Sequence, residues 1–250
     1  MLCKAASKVD KAAAYRLKIL LRIMRAEYQQ AVECALECLR MFGIDMPAHP
    51  TREQVQIEYE KVWLNLGERS IESLIDEPLV TDREIQAAMR VLAELCPPAL
   101  NTDNNLHYLL VCHMANASLQ YGTTDASVQA YAELATILGP TFHRYNDGCR
   151  FGKLACSLVE KYGFVGVRAY VNMEMAVLWT EPVRSAIDLI RRAFRAGIET
   201  GDLSGPATVA TVWLRTFSCK ESPSTRCGAN HRKAWSSSAR SISPSRPTSS

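Results

Sequence analysis

Apolar residues recur along this chain at the spacing of one helix face, from about residue 10 to residue 216. In one segment, for example, Val55, Tyr59, Val62 and Leu66 fall on the same side of a helix. The two-residue alternation of a half-buried strand does not occur convincingly. The pattern therefore predicts an all-α fold, with helices near 10–24, 27–42, 52–66, 70–76, 82–95, 104–121, 126–138, 147–162, 166–178, 181–196 and 203–215.

Capping residues and prolines mark several of these boundaries. Thr51 with Gln54, and Thr81 with Glu84, have the spacing of a capping box, in which two side chains accept hydrogen bonds from backbone N–H groups at the start of a helix. Pro97-Pro98 predicts the end of a helix, because proline has no N–H for the hydrogen-bond ladder.

Four predicted helices close in a similar way, at RMFG (40–43), LQYG (119–122), EKYG (160–163) and FRAG (194–197). Glycine can take the left-handed conformation that ends a helix without a Cβ clash. Successive glycines are 79, 41 and 34 residues apart, which suits helix pairs of tetratricopeptide-like length. The sequence predicts a degenerate tetratricopeptide-like array of antiparallel helix pairs, an α-solenoid, over 10–216 after a lead-in at 1–9. The alternative is a set of ordinary helix ends with no repeat behind them.

The charge is divided unevenly between this helical region and the C-terminal tail. The chain has a formal net charge of +3, but residues 217–250 carry six Lys and Arg against one acid, Glu221. The helical region is therefore slightly acidic. A nucleic-acid surface is not expected there, because phosphate binding needs clustered positive charge on the fold.

The nine cysteines are scattered singly, without a CxxC pair. Most lie in apolar runs, which indicates reduced core thiols of a cytoplasmic protein. Cys34 and Cys38 are one helical turn apart but lack a second ligand pair at zinc spacing, so no metal site is predicted. The chain contains no long uncharged apolar run and no apolar leader, so membrane spanning and secretion are not expected.

The tail at 217–250 differs in kind from the rest. It contains eleven serines and almost no aliphatic side chains, so it cannot bury enough apolar surface to offset its chain entropy. We expect it to be disordered, as a Ser/Arg-rich tail that is phosphorylated or binds RNA, or as the product of a frameshift. Permitted codons for 223–239, shifted by one nucleotide, can encode a charged amphipathic helix, which is the basis of the frameshift hypothesis.

No catalytic motif is present at its required spacing. Gly152-Lys153 is followed by Leu154 and lacks the preceding glycine of a phosphate-binding loop. The string His143 to Asp147 does not match a kinase catalytic loop and is interpreted as a turn between helices.

Isolated polar residues on the helices have structural interpretations. His107 and His113 are six residues apart, on different faces of one helix, and are not expected to act together. Asp10, Asp125 and Asp202 sit just before predicted helices, which favours capping over acid catalysis. The sequence therefore predicts no catalytic, cofactor-binding or metal-binding residues and no cofactor.

Five strings, in order, resemble the tetratricopeptide-like helical region of large bacterial signalling proteins: CLRMFGIDMPAHPT, EKVWLNLGERSIESLIDEPLVTD, LQYGTTDAS, RFGKLACSLVEKYGF and AFRAGIETGDL. Proteins of that family look like fusions in which the helical region is joined to a serine/threonine-kinase-like domain, an AAA-type ATPase, a GAF domain and a sensor histidine kinase. None of the family's catalytic motifs lies in this chain. The resemblance implies a non-catalytic interaction or regulatory segment of a signalling ATPase/kinase, present as a truncated fragment, whose partners are proteins or adjoining domains.

Three other functions stay open at this stage. The chain could be a stand-alone peptide-binding adaptor, which predicts a polar cap at each end of the array, whereas a fragment predicts exposed apolar helix faces. It could be the effector-sensing domain of an ATPase-type transcription regulator. An enzymatic function comes last and would require a pocket in which Asp, Glu and His side chains converge.

Overall fold

The computed structural model describes residues 7–200, and in this range the chain forms nine α-helices, one 3-10 helix and no strand. The predicted all-α class is confirmed. The predicted helix 203–215 and the predicted disordered tail lie outside the described residues. The elements are α1 Lys8–Met24, α2 Tyr28–Arg40, α3 Arg52–Leu66, the 3-10 helix Glu72–Asp76, α4 Arg83–Thr102, α5 Asn104–Tyr121, α6 Asp125–Phe142, α7 Tyr145–Tyr162, α8 Val167–Val177 and α9 Val183–Thr200.

Most helices pack in pairs that follow the order of the chain: α1 with α2, α4 with α5, α6 with α7, and α8 with α9. The first helices of successive pairs also touch, so that α4 contacts both α1 and α6, and α6 contacts α8. The pairs beginning with α4, α6 and α8 start at equal intervals, at Arg83, Asp125 and Val167. Helix α3 follows the first pair and packs on α5, while the 3-10 helix packs on α7.

The apolar face predicted for α3 is buried at Val55, Tyr59, Val62 and Leu66. In the core between α6 and α7, the buried ring of Tyr131 stacks on that of Phe151 with ring centroids 5.6 Å apart. Burial of such aromatic side chains is a large part of what holds helix pairs together.

Six cysteines lie in the described range, all as free thiols, and five of them are buried. Their predicted place in the core is confirmed, while Cys3, Cys219 and Cys227 lie outside the described residues. Between residues 7 and 200 no group of three or more His, Cys, Asp and Glu side chains is placed to hold a metal ion. None of the helices in that range is long and apolar enough to cross a membrane.

Pro97-Pro98 does not end a helix, contrary to the prediction, because α4 continues to Thr102. Pro97 cannot donate to the carbonyl of Ala93, four residues earlier. The side-chain amide of Gln129 in α6 donates to that carbonyl instead, with an N–O distance of 3.2 Å. Packing against α6 thus replaces the hydrogen bond that proline removes.

The predicted capping box of α3 is confirmed, with Thr51 and Gln54 accepting backbone hydrogen bonds of 3.2 and 2.8 Å. The predicted box at Thr81 is wrong. Asp82 is the residue that caps α4, and its carboxylate accepts from two backbone N–H groups of the first turn. A carboxylate suits this position, because it also faces the positive end of the helix dipole.

Three of the four glycine closures are confirmed, since Gly43, Gly122 and Gly163 have φ angles of 77, 108 and 68°. The fourth is wrong, because Gly197 lies inside α9, which continues to Thr200. A glycine in a helix interior costs only about 1 kcal/mol relative to alanine, so neighbouring contacts can carry the helix through it.

Candidate functional site

A groove of about 490 Å³ opens between α4 on one side and the packed helices α3 and α5 on the other. The turn after α2 also contributes to its lining. The groove has a polar wall from α3 and α5, an apolar wall from α4 and the turn, and an acidic edge at the start of α4. These three parts determine which ligands it can take.

Glu58 of α3 is the centre of the polar wall. Its side chain is largely buried, and one carboxylate oxygen accepts hydrogen bonds from Asn116 Nδ2 at 2.9 Å and from His113 Nδ1 at 3.2 Å. The other oxygen accepts from Lys61 Nζ at 3.0 Å. Since an ionised carboxylate only accepts, His113 carries a proton on Nδ1 in this arrangement.

The balance of burial and hydrogen bonding keeps Glu58 ionised. Burial by itself raises the pKa of the carboxyl, but the hydrogen bonds from His113, Asn116 and Lys61 outweigh it and lower the pKa to about 2. A buried carboxylate is stable when several donors satisfy its oxygens, and strongly destabilising when they do not.

Amide side chains continue this wall along the groove. Asn116 Oδ1 accepts from Asn65 Nδ2 at 2.9 Å, and Asn65 Oδ1 accepts from Gln120 Nε2 at 3.2 Å. We call the six residues Glu58, Lys61, Asn65, His113, Asn116 and Gln120 the polar ladder. The ladder links α3 to α5 through alternating donors and acceptors.

Arg69 extends the connection beyond the groove. Its guanidinium donates to the carbonyl oxygens of Asn65, Leu66 and Leu119 and pairs with Glu77 at 2.6 Å. A planar guanidinium with five N–H donors suits such a convergence of acceptors. The end of α3 is thereby tied both to α5 and to the segment after the 3-10 helix.

The opposite wall of the groove is apolar. Phe42 and Ile44 of the turn after α2 and Ile85 of α4 are half-buried and line the opening, and Ala117 is a half-buried apolar residue of α5 beside the polar wall. Water covers the rest of these side chains in the free protein, so a ligand that displaced it would gain free energy from apolar burial.

Asp82 and Glu84, at the start of α4, form the acidic edge. Glu84 pairs with Lys8 of α1 at 3.0 Å, and both side chains are about half exposed. Because the pair is exposed, its net contribution to stability is small. In the described part of the chain, the groove lining carries three carboxylates, Glu58, Asp82 and Glu84, against the single cation Lys61, so it stays negative even with Lys8 paired to Glu84.

The structure separates the two histidines, as the spacing predicts. His113 lies in the groove wall, whereas His107 is buried with Nε2 3.7 Å from Glu133. Burial lowers the pKa of His107 and outweighs the opposing effects of Glu133 and of a backbone hydrogen bond at Cys96. It is therefore a neutral core histidine and takes no part in the groove.

The prediction that Asp10 and Asp125 precede and cap their helices is wrong in position, because Ser7 and Thr124 are the N-cap residues. Asp10 is the third helical residue of α1 and forms a capping box with Ser7, so it supports the cap without being it. Asp125 begins α6 after the capping Thr124 and pairs with Arg90 at 2.9 Å. Asp202 lies outside the described residues.

The other motif-like strings lie at a helix end or within a helix. His143 ends α6 with a φ of 59° and α7 begins at Tyr145, so the predicted turn is confirmed for 143–144 only, and the rest of the string to Asp147 is helical. Lys153 lies within α7 and pairs with Glu181 at 2.7 Å. Neither string contributes to the groove.

Sequence reasoning missed the polar ladder, although a signal for it exists. Glu58, Lys61 and Asn65 have the same spacing on α3 as His113, Asn116 and Gln120 have on α5. Residues three and seven apart lie along one helix face, so two such rows can meet when the helices pack. The absence of catalytic, cofactor-binding and metal-binding residues stays a prediction, because the ladder is a set of hydrogen bonds between protein side chains.

Asp82, Glu58 and His113 all line the groove, which is the convergence of side chains that an enzymatic function would require. Their chemistry is unfavourable for it. With its pKa near 2, Glu58 is a weak base at neutral pH, whereas general acid–base catalysis works best with a pKa near the operating pH. Among the residues that the structure describes, the groove lining contains no Ser, Thr or Cys.

No protein-family model, curated protein or solved structure matches the chain. The resemblance to large bacterial signalling proteins thus stays a prediction from the sequence. The chemistry of the groove is therefore the basis for the function proposed below.

Proposed function

We propose that this chain is a non-catalytic interaction segment that binds an extended peptide of a protein partner in the groove. The observation that carries this proposal is an apolar wall facing a hydrogen-bonding wall across a cleft of about 490 Å³. Clefts of roughly 300–1,000 Å³ are typical of ligand sites, which combine mostly apolar walls with a few placed polar groups.

The lining suggests the chemistry of the peptide. An apolar side chain of the peptide packs against Phe42, Ile44 and Ile85, and a neighbouring Lys or Arg lies near the acidic edge. Gln120 uses one of its two amide N–H groups in the ladder, so its remaining donor and acceptor can pair with the peptide backbone.

The proposed architecture is a degenerate tetratricopeptide-like array. Its support is the packing of α4 with α5, α6 with α7 and α8 with α9, together with contacts between the first helices of successive pairs. Arrays of this type bury helix faces between neighbours and use a concave surface for binding. Helix α3, which follows the first pair and packs on α5, departs from a regular array and forms one side of the groove.

The proposed setting is a bacterial signalling ATPase/kinase, in which this segment links or regulates other modules. Its support is the resemblance of five ordered strings in the sequence. A stand-alone adaptor would be expected to have polar ends, but α1 exposes Leu17, Leu21 and Met24. This exposure favours a segment that packs against further protein.

Selection from a random peptide library displayed on phage tests the proposal. We expect the full chain to enrich peptides with an apolar residue next to Lys or Arg. Ala117→Arg, which places a long cation in the groove, should weaken binding of the selected peptides by at least ~10-fold, since lost contacts of about 1.4 kcal/mol suffice for that. Gln29→Arg, an exposed change on α2, should leave binding unchanged.

Circular dichroism and urea unfolding establish that both variants are folded, and Ile44→Ser serves as a second groove variant that adds no bulk. The proposal is contradicted if the selected peptides share no common sequence pattern. It is also contradicted if they bind the wild type and the variants Ala117→Arg, Ile44→Ser and Gln29→Arg equally.

A further inference from the structure

The outer face of α1 carries a row of exposed large apolar side chains. Leu17, Leu20, Leu21 and Met24 are 70, 38, 50 and 85% exposed. Their spacing of three, four and seven residues places them on one side of the helix. The side that carries Ile19 is buried against the rest of the fold, so the row points away from the core.

Single exposed leucines are common, but a contiguous row of this kind is the pattern of a packing face. The first helix of a pair can contact the first helices of the pairs before and after it, as α4 contacts α1 and α6. Among the residues that the structure describes, α1 has a neighbour of this kind only on one side, namely α4. Its outer row is therefore a helix-packing surface that no described helix covers.

Three cations run beside this row at seven-residue intervals: Lys11, Lys18 and Arg25. None of them forms an ion pair with another residue between 7 and 200, although Lys18 lies 5.7 Å from the centre of the Tyr15 ring. Residues seven apart lie nearly in line along a helix, so these charges edge the apolar row on one side. The surface combines an apolar centre with a positive margin.

We propose that the outer face of α1 binds an acidic amphipathic helix of a partner protein. On its opposite side, α1 already packs on a helix in this way, through Lys8–Glu84 at 3.0 Å and Arg16–Glu94 at 2.9 Å. An incoming helix with an apolar row and carboxylates along one edge reproduces that complementarity.

A second copy of this chain is a poorer occupant. The exposed apolar residues of α9, Phe194 and Ile198, lie on a helix with more Arg than acidic residues, so head-to-tail stacking would bring cations onto the cations of α1. An anionic membrane is also a poorer occupant. Asp10 lies one heptad before Leu17 in the same row and would be repelled, and the unpaired cations edge only one side.

Fluorescence anisotropy with synthetic peptides tests the proposal on the full chain. The probe is a designed amphipathic helix of about three heptads with Leu in the core positions and Glu along one edge, and its matched control carries Lys in place of Glu. We expect the Glu peptide to bind and the Lys peptide to bind at least ~10-fold more weakly, since like charges across an interface are unfavourable.

Variants then locate the site. Leu21→Ser should weaken binding of the Glu peptide by ~10-fold or more, because a leucine leaves the interface. Lys18→Glu should weaken it severalfold, with a smaller effect in high salt. Gln29→Glu, with a charge change on the exposed side of α2, is the matched control and should behave as wild type. Equal binding of the Glu and Lys peptides, or insensitivity to Leu21→Ser, overturns the proposal.

Two further measurements identify the competing occupants. Stronger binding of the chain to phosphatidylserine-containing vesicles than to the Glu peptide, abolished by Leu21→Ser, would overturn the proposal in favour of a membrane. Sedimentation of the wild type as a dimer that Leu21→Ser dissociates would overturn it in favour of a second copy. Ala117→Arg should leave peptide binding at α1 unchanged, so failure here is distinguishable from failure at the groove.

Discussion

Replacing Glu58 by glutamine is the sharpest test of the polar ladder. The amide has nearly the same shape as the carboxylate but no charge, and its –NH₂ group must face a donor. In the wild type, His113, Asn116 and Lys61 all donate to this side chain. Glu58→Gln therefore removes one acceptor and places two donors against each other.

The pKa of Glu58 sets the size of the effect. Lowering a carboxyl pKa from 4.5 to about 2 corresponds to roughly 3 kcal/mol of folding free energy at neutral pH. The Glu58 side chain is only 12% exposed, so solvent screens little of this interaction. We expect Glu58→Gln to lower the free energy of unfolding at pH 7 by about 2–3 kcal/mol.

The dependence on pH follows from the sign of the shift. Because the folded pKa of Glu58 is below the unfolded value, its contribution is present above about pH 4.5 and is lost as pH falls toward 2. Urea unfolding at pH 7, 5 and 3 should therefore show the gap between wild type and Glu58→Gln narrowing with acidity. Other acidic groups destabilise both proteins alike and cancel in the difference.

Glu60→Gln is the matched control, since Glu60 lies on the same helix but is exposed. It should change the free energy of unfolding by no more than about 0.5 kcal/mol. A gap for Glu58→Gln that is absent at pH 7, or that stays constant down to pH 3, would refute the assignment of Glu58 as a buried, donor-stabilised carboxylate.

Two further predictions concern buried polar groups. Wild-type stability should fall below about pH 6.5, because burial lowers the pKa of His107 and its protonation favours the unfolded chain, and His107→Gln should reduce this fall. Urea unfolding of both proteins at pH 7.5 and pH 5 checks this. An equal loss of stability between the two pH values in both proteins would contradict it. Gln129→Ala should lower the free energy of unfolding by about 1 kcal/mol, because it leaves the Ala93 carbonyl unpaired beside Pro97. In a Pro97→Ala background the restored N–H should reduce that cost, and a double-mutant cycle in which the cost is unchanged contradicts the role of Gln129.

The sequence predicts helix positions well here because local signals and packing mostly agree. The range of α5 is predicted at both ends, since Asp103 accepts backbone N–H bonds at its start and Gly122 ends it. At Pro97 local and tertiary signals conflict. Whether Ala93 has another donor depends on Gln129, which lies on a different helix and cannot be assigned to that carbonyl from sequence.

The groove was less predictable than the helices that form it. Each polar row, on α3 and on α5, has the spacing of an ordinary solvated helix face when it is considered alone. Only the packing of α3 on α5 makes Asn65 and Asn116 meet and buries Glu58. A helix-pair repeat predicts only the contacts within and between the pairs. Because α3 lies outside the pairs, the periodicity of the sequence could not predict which helix it packs on.

The ladder also explains why α3 can hold one position despite lying outside the helix pairs. Apolar contacts from residues such as Val62 would change little if α3 slid along α5 by one turn, because one apolar ridge resembles the next. The same slide would move Glu58 away from Asn116 and His113 and leave a buried carboxylate short of donors, which costs several kcal/mol. The charged side chain thus opposes any shift in register, because the hydrogen bonds that Glu58 accepts from His113 and Asn116 of α5 hold α3 in place beside the groove.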